Sequence, residues 1–431
     1  MSNKDAEHRS KLRFLLQSAA ALASTSVITA GLGFVFWAVA ARSFTAADVG
    51  ESSTAISAMN LLAPLTLLGF GTMLTAQLPR MADHRSTLVS TAAVVTGLFA
   101  GVVSLVCAAL LPVTFLGLPG ISSEPWIAVI FAAAVVTQAI GLLLDQALLS
   151  IIGGQMQLRR NAIQSVVKLG LLIAAAFTMS EYGSLAIFSS WLVANIVSIL
   201  FVVAALLKTY SVPRGWLVPT PTALRGMQGD AFRHHALNTS LLVAYFAMPI
   251  LANVTLGSEQ AGYLYAAWSL AGFVFFIPLS LAVALFASGA RSTATFRMEF
   301  RKTLQYSLLV CAAAILVMAV LGNLVLKIFG DDYATNAHTA LIILCVGGLG
   351  LVVKDHHVTL ARVSGNVARE AVLVGVLSVL ELAGAAFGAL HGGLTGLTLG
   401  WLAAVGIGVL FYGPRVWREY RGPVDVVGPG S

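Results

Sequence analysis

Apolar residues arrive in long runs separated by short polar segments along nearly the whole chain. Each run is about 20 residues, the length an α-helix needs to cross ~30 Å of hydrocarbon. Backbone groups in lipid must bond within their own segment, so every run predicts a helix. The first six are Phe14–Ala41, Glu51–Leu74, Thr87–Leu111, Trp126–Ile151, Ala162–Met179 and Gly183–Leu207. The second six are Leu237–Leu256, Gly262–Ala287, Leu304–Leu326, Ala334–Val353, Ala371–Leu390 and Leu394–Tyr412. Helical period adds nothing to these assignments, because the runs read as apolar nearly all round. The expected fold is all-α: a polytopic membrane protein with about twelve transmembrane helices in two six-helix lobes.

Composition agrees. The chain has 431 residues, of which 58% are hydrophobic and 10% charged, where a soluble domain carries about 25% charged. The net charge of +7 could suggest nucleic acid in a soluble protein. Here the basic residues lie in short loops, so the lipid bilayer and its anionic surface are the expected partners, and no nucleic acid is. The N-terminus imitates a secretory leader, with Lys4, Arg9, Lys11 and Arg13 ahead of an apolar stretch ending Ala38-Val39-Ala40-Ala41. That stretch is far longer than the ~7–15 residues of a leader core, so it reads as an uncleaved first span.

Lysine and arginine placement sets the orientation. With twelve spans, 22 of the 25 fall on one side, in the N-terminal tail, the even-numbered inter-helix loops and the C-terminal tail. Arg159 and Arg160 are among these, as are Lys354, Arg362 and Arg369. The other side has Arg42 and Lys327, and Lys168 lies inside a span. This asymmetry puts both termini in the cytoplasm, with the protein in the cell membrane. The chain then divides into a cytoplasmic tail (1–13), an N-terminal lobe (14–207), a linker (208–236), a C-terminal lobe (237–412) and a second tail (413–431). The linker, with Pro213, Trp216, Pro219 and Pro221, is expected to lie on the membrane surface.

The halves resemble each other. Ser43-Phe-Thr-Ala-Ala-Asp-Val-Gly50 leads into a span, as does Thr255-Leu-Gly-Ser-Glu-Gln-Ala-Gly262. Gly50 and Gly262 are 212 residues apart, Gly153 and Gly365 are also 212 apart, and Gly183–Trp191 matches Gly393–Trp401 at 210. Six helices duplicated in parallel would explain this, and two such bundles leave room for a central cavity. Gly97/Gly101 and Gly396/Gly400 are GxxxG pairs that read as close helix contacts.

Charges inside spans are costly unless paired or hydrated. Asp145 sits eight residues before Gly153 and Lys168 eight after Arg160, so they fall at similar depths and could form an ion pair. Alternatively, Lys168 lines a cavity and meets a phosphate. Glu381 is the most central acid. It could make a helix–helix hydrogen bond, be a protonated core carboxyl, or hold a cation or proton. Arg42 ends the first span on the outer side, either snorkelling to the interface or contacting pyrophosphate from a cavity. His234 and His235 open the seventh span, and His356 and His357, beside Asp355, close the tenth; an interfacial role suits them better than a metal. Cys107, Cys311 and Cys345 lie in apolar runs without CxxC spacing and read as packed thiols. No metal, cofactor or catalytic residue is expected: the chain lacks a Gly-x-x-x-x-Gly-Lys-Ser/Thr loop, Gly-x-Ser-x-Gly and His-Glu-x-x-His.

Trp37-Ala-Val-Ala-Ala-Arg42-Ser-Phe-Thr-Ala-Ala-Asp48-Val-Gly50, followed by Leu67-Leu-Gly69-Phe-Gly71-Thr-Met-Leu, resembles the first two helices of bacterial polysaccharide flippases of the multidrug/oligosaccharidyl-lipid/polysaccharide exporter superfamily. Leu144-Asp145-Gln-Ala-Leu-Leu, Gln157-Leu-Arg159-Arg160-Asn161 and Gly393-Leu-Thr-Gly396-Leu-Thr-Leu-Gly-Trp401 are similar to later parts of that family. The resemblance implies alternating access by two lobes in a V, and a cationic cavity for a polyprenyl-pyrophosphate-linked oligosaccharide. It places Arg42, and more weakly Lys168, against the substrate; Asp145 and Glu381, as acids inside spans, are the cavity or coupling candidates. It also implies a role in cell-surface polysaccharide assembly, lipopolysaccharide included, with a membrane polysaccharide polymerase as a possible partner. The chain departs from the family in having few cations deep within spans.

Rival readings are an ion-coupled multidrug exporter, a lipid II flippase, a membrane enzyme of polysaccharide assembly, and a structural scaffold. Drug exporters of this superfamily typically carry an acid in the first or seventh span, and neither span has one here. Lipid II flippases usually have two further helices. Enzymes need a sizeable outer loop, and the longest here, near Pro112 to Pro125, has Glu124 as its one charge.

Overall fold

Residues 28–79, 85–209, 229–289 and 296–422 are described by a computed structural model. The N-terminal tail, the first half of the first span, most of the linker with its prolines and Trp216, and the end of the C-terminal tail lie outside the described residues. The described residues are helical throughout, without strands. The helices are α1 (Ile28–Ser43), α2 (Ala46–Thr66), α3 (Phe70–Gln77), α4 (Arg85–Leu110), α5 (Val113–Leu116), α6 (Pro125–Ile151), α7 (Gly154–Thr178), α8 (Gly183–Thr209), α9 (Gly229–Leu256), α10 (Ser258–Gly289), α11 (Phe296–Leu326), α12 (Asp331–Val363) and α13 (Val367–Arg421). Nine of them are long and apolar enough to cross a membrane. The chain is a polytopic membrane protein of about twelve spans, once α1, the broken α2–α3 segment and the two limbs of α13 are counted.

The breaks have local causes. α2 opens with a reciprocal cap: Thr45 Oγ1 accepts from Asp48 N–H, while Asp48 Oδ2 accepts from Thr45 N–H at 3.1 Å and Thr45 O–H at 2.6 Å. The second span, expected as one helix, is interrupted at Leu68 (φ 49°) and Gly69 (φ 83°), just past Pro64. α13 breaks at Gly392–Gly393, where Gly393 takes φ 57° and ψ −142°, a conformation only glycine adopts without strain. Its two limbs then close so tightly that the Gly388 backbone meets that of Gly396, and Gly384 that of Gly400. A side chain at any of the four would collide with main chain.

The chain divides into two compact units, Met1–His235 and Ala236–Ser431. In the first, Phe70, Met73, Leu74, Leu78, Leu88, Ala92, Leu143 and Ala147 join α3, α4 and α6. In the second, Leu237, Val358, Val367, Ala371, Val374, Leu377 and Tyr412 join α9, α12 and α13. The repeat glycines share backbone conformations: Gly153 and Gly365 have φ 93° and 74°, and Gly183 and Gly393 have 48° and 57°.

Three expectations need correction. α7 begins at Gly154, eight residues earlier than expected, and α12 continues to Val363, ten residues later. Arg160 and Lys354, assigned to cytoplasmic loops, therefore lie buried inside helices. His356 and His357 are likewise buried within α12 rather than at an interface. Thirdly, helical period is informative in α7. Its buried face carries Arg160, Gln164 and Lys168 at four-residue spacing, while Val166, Ile173 and Phe177 are exposed. The helix is polar inward and apolar outward, the reverse of a helix on a soluble protein.

Candidate functional site

In the first unit α6 and α7 run antiparallel through Gly153, which puts Asp145 and Arg160 at one depth. Arg160 donates from Nε to Asp145 Oδ1 at 2.6 Å and from Nη2 to Oδ2 at 2.5 Å, a bidentate buried pair. Asn161 Nδ2 adds a contact to Oδ2 at 3.3 Å, and Arg160 Nη1 reaches Ser198 Oγ on α8 at 3.5 Å. The ion pair expected between Asp145 and Lys168 is therefore not formed. Counting the depth of Lys168 from Arg160 treats that residue as the membrane edge. Arg160 is already inside α7, and Lys168 lies about 12 Å further along it.

Lys168 is 4% exposed and has no carboxylate partner among the described residues. Its Nζ sits 3.9 Å from the centroid of the Trp191 ring on α8 and 5.4 Å from that of Phe36 on α1. The two rings meet edge to face at 5.9 Å. A lysine at the centre of a span costs about 3 kcal/mol on insertion scales, and a desolvated cation–π contact returns about 2 kcal/mol. The rings thus hold the ammonium in place without cancelling its charge. An anion arriving there would meet a positioned cation.

The second unit treats its charge differently. Glu381, on the first limb of α13, accepts from Lys354 Nζ at 3.2 Å and from Trp401 Nε1 at 3.3 Å, so both oxygens are engaged. Glu381 thereby joins the first limb of α13 to α12 and to the second limb. Trp401 is 1% exposed, edge-on to Trp268 at 5.6 Å and tilted to Phe275 at 6.2 Å. Nearer the end of α12, His357 Nε2 and Glu370 Oε1 are 2.5 Å apart, and Arg415 Nη1 stands 3.6 Å from the other Glu370 oxygen.

The predicted residues are thus distributed rather than gathered. Asp145 and Lys168 share the first unit at separate levels, Glu381 belongs to a cluster in the second, and Arg42 is exposed in the last turn of α1. Sequence reasoning missed Arg160, Trp191, Lys354 and Trp401 as partners. The matching tryptophans were visible as repeat markers, and the four-residue spacing of Arg160, Gln164 and Lys168 was visible as well.

This arrangement of helices is the fold of the MOP-superfamily transporters. Lipid II flippase MurJ in an inward closed conformation superposes with a TM-score of 0.67 at 13% identity, covering 94% of this chain and 89% of MurJ. A MOP-superfamily transporter from Pyrococcus furiosus, described as having a binding pocket of reverse polarity that suggests a different function, gives 0.64 at 13% identity over 93% of this chain and 96% of its own. An outward-facing multidrug resistance MATE family transporter gives 0.63 at 13% identity, with the same coverage. No family model and no curated protein matches the chain in sequence. At such identities the likeness concerns the fold.

Proposed function

We propose that the protein is a flippase that carries a polyprenyl-pyrophosphate-linked oligosaccharide across the cytoplasmic membrane for cell-surface polysaccharide assembly. The observation that carries this reading is Lys168, a buried cation held by aromatic faces with its charge uncancelled. A sugar headgroup and two phosphates cannot enter ~30 Å of hydrocarbon alone. A polar route with a fixed cation replaces their hydration while the polyprenyl tail stays in the bilayer. On this reading the two lobes, joined by the 208–236 linker, alternate access, both termini are cytoplasmic, and no bond of the substrate is made or broken. Arg42 is the second candidate for pyrophosphate contact.

The test is reconstitution of the full chain in liposomes holding a polyprenyl-pyrophosphate oligosaccharide. Accelerated arrival of the glycan at the opposite leaflet supports the reading, and a deletion strain should trap lipid-linked glycan on the inner leaflet. Export of cationic drugs with no movement of the lipid would favour the multidrug exporter instead. Formation of a new sugar bond would favour an enzyme of the same pathway.

A further inference from the structure

Four side-chain amides form a directed chain across the first unit. Gln164 on α7 donates to Asn195 on α8 at 3.3 Å, Asn195 to Gln138 on α6 at 3.0 Å, and Gln138 to Asn60 on α2 at 3.0 Å. Every link runs the same way, N–H to O=C. Gln164 and Asn195 are buried, whereas Gln138 and Asn60 are only partly so. The relay therefore begins one turn from Lys168 on α7 and emerges at Asn60.

Its direction has a consequence for Asn60. The Oδ1 of Asn60 is occupied by Gln138, while its Nδ2 hydrogens have no partner among the described residues. Chained hydrogen bonds polarise one another, by roughly 10–30% per bond, so the terminal N–H groups become better donors. An accessible amide on a spanning helix facing hydrocarbon would cost several kcal/mol. Water or a polar ligand is the surrounding that suits it. Two turns along α6, Gln146 is exposed as well, its Oε1 accepting from Thr75 and its amide hydrogens unpartnered among the described residues. The accessible donors here are neutral, unlike Lys168.

We infer that Asn60 is a substrate-contacting residue that donates to acceptor oxygens of the transported headgroup, at a point three side chains away from the Lys168 cation. This inference rests on the flippase reading. Two contacts separated in this way fit a headgroup larger than one anion. The shared chemistry is an oxygen acceptor, from either a phosphate or a sugar.

Asn60→Asp provides the test, because its Oδ1 still accepts from Gln138 while the donor becomes a second, charged oxygen. Binding to the full-length protein in nanodiscs would be measured for polyprenyl pyrophosphate bearing a neutral oligosaccharide and for the same lipid without sugar. Thermal unfolding serves as the check on folding. We expect a loss of about tenfold or more for at least one lipid at unchanged unfolding temperature. Loss for both lipids in the uncharged Asn60→Ala as well identifies a phosphate oxygen, and loss for the glycosylated lipid alone identifies a sugar oxygen. Binding at wild-type strength in both Asn60→Asp and Asn60→Ala overturns the inference and leaves the flippase reading standing. The alanine variant also decides the matter if the aspartate variant unfolds. A wild-type protein that binds neither lipid removes the flippase reading and this inference with it.

Discussion

In the first unit Trp191 lies under an ammonium, that of Lys168; in the second, Trp401, 210 residues further on, donates to a carboxylate, that of Glu381. The neighbouring ion pairs differ in the same sense. His357 lies 212 residues after Asp145, and Glu370 lies 210 after Arg160, the two offsets that relate the glycine turns. An acid on α6 bonded to a base on α7 thus becomes a base on α12 bonded to an acid on α13. At matching offsets the two units carry acid and base in opposite order. The outcome differs in one respect. Glu381 is paired inside its own unit with Lys354, while Lys168 has no carboxylate partner among the described residues. In the second unit the buried charges join helices, Lys354 on α12 to Glu381 on α13; in the first, the Lys168 ammonium rests against the Trp191 and Phe36 rings.

The largest effect should come from breaking the closed pair. Glu381→Gln takes from the buried Lys354 ammonium its hydrogen-bonded carboxylate and leaves only the neighbouring Asp355 as an acid nearby, which costs about 3 kcal/mol, and thermal unfolding of the reconstituted protein should show it. Unchanged stability would mean that Lys354 is not held by Glu381. Lys168→Met should do the reverse. It removes an uncancelled charge, so the unfolding temperature holds or rises, while flipping falls at least tenfold in the liposome assay. Flipping at the wild-type rate would reassign Lys168 to structure.

The glycine turns sharpen the comparison further. Gly183→Ala and Gly393→Ala both force a side chain onto a backbone of positive φ and strongly negative ψ that glycine alone adopts freely, at about 1–3 kcal/mol. At Gly183 an added Cβ would also sit 2.1 Å from Asp48 Oδ1, whereas at Gly393 it meets nothing within 4 Å. The first substitution should therefore be the more destabilising in urea or thermal unfolding, and equal losses would contradict the packing at Asp48. The smallest effect belongs to Trp191→Phe, which keeps an aromatic face but weakens the quadrupole. A decline of a few-fold in transport with the unfolding temperature little changed is expected; an effect as large as that of Lys168→Met would assign Trp191 a direct contact with substrate.

Helix number and order were legible because a spanning run cannot be mistaken for much else. The ends were not, and the errors at the ends misplaced two chemically important residues. Arg160 and Lys354 look like loop residues when charge is taken as the mark of a loop. In this protein each is drawn inward by a carboxylate on a neighbouring helix, which hydropathy along a single segment does not register. The supposed Asp145–Lys168 pair failed for the same reason. Glu381 stood out because a central acid is rare in such a chain, but its lysine partner was 27 residues away across a turn. The amide relay left almost no trace, since Asn60, Gln138, Gln164 and Asn195 are far apart in sequence and uncharged.

The inward polarity of α7 bears on how the protein is made. It is the least apolar of the nine long spans among the described residues, and alone it would ask the translocation machinery to release Arg160 and Lys168 into oil. Synthesis delivers α6 first, so the Asp145 carboxylate already waits in the bilayer when the arginine emerges fifteen residues later. The Asp145–Arg160 pair would then offset part of the cost of burying the arginine.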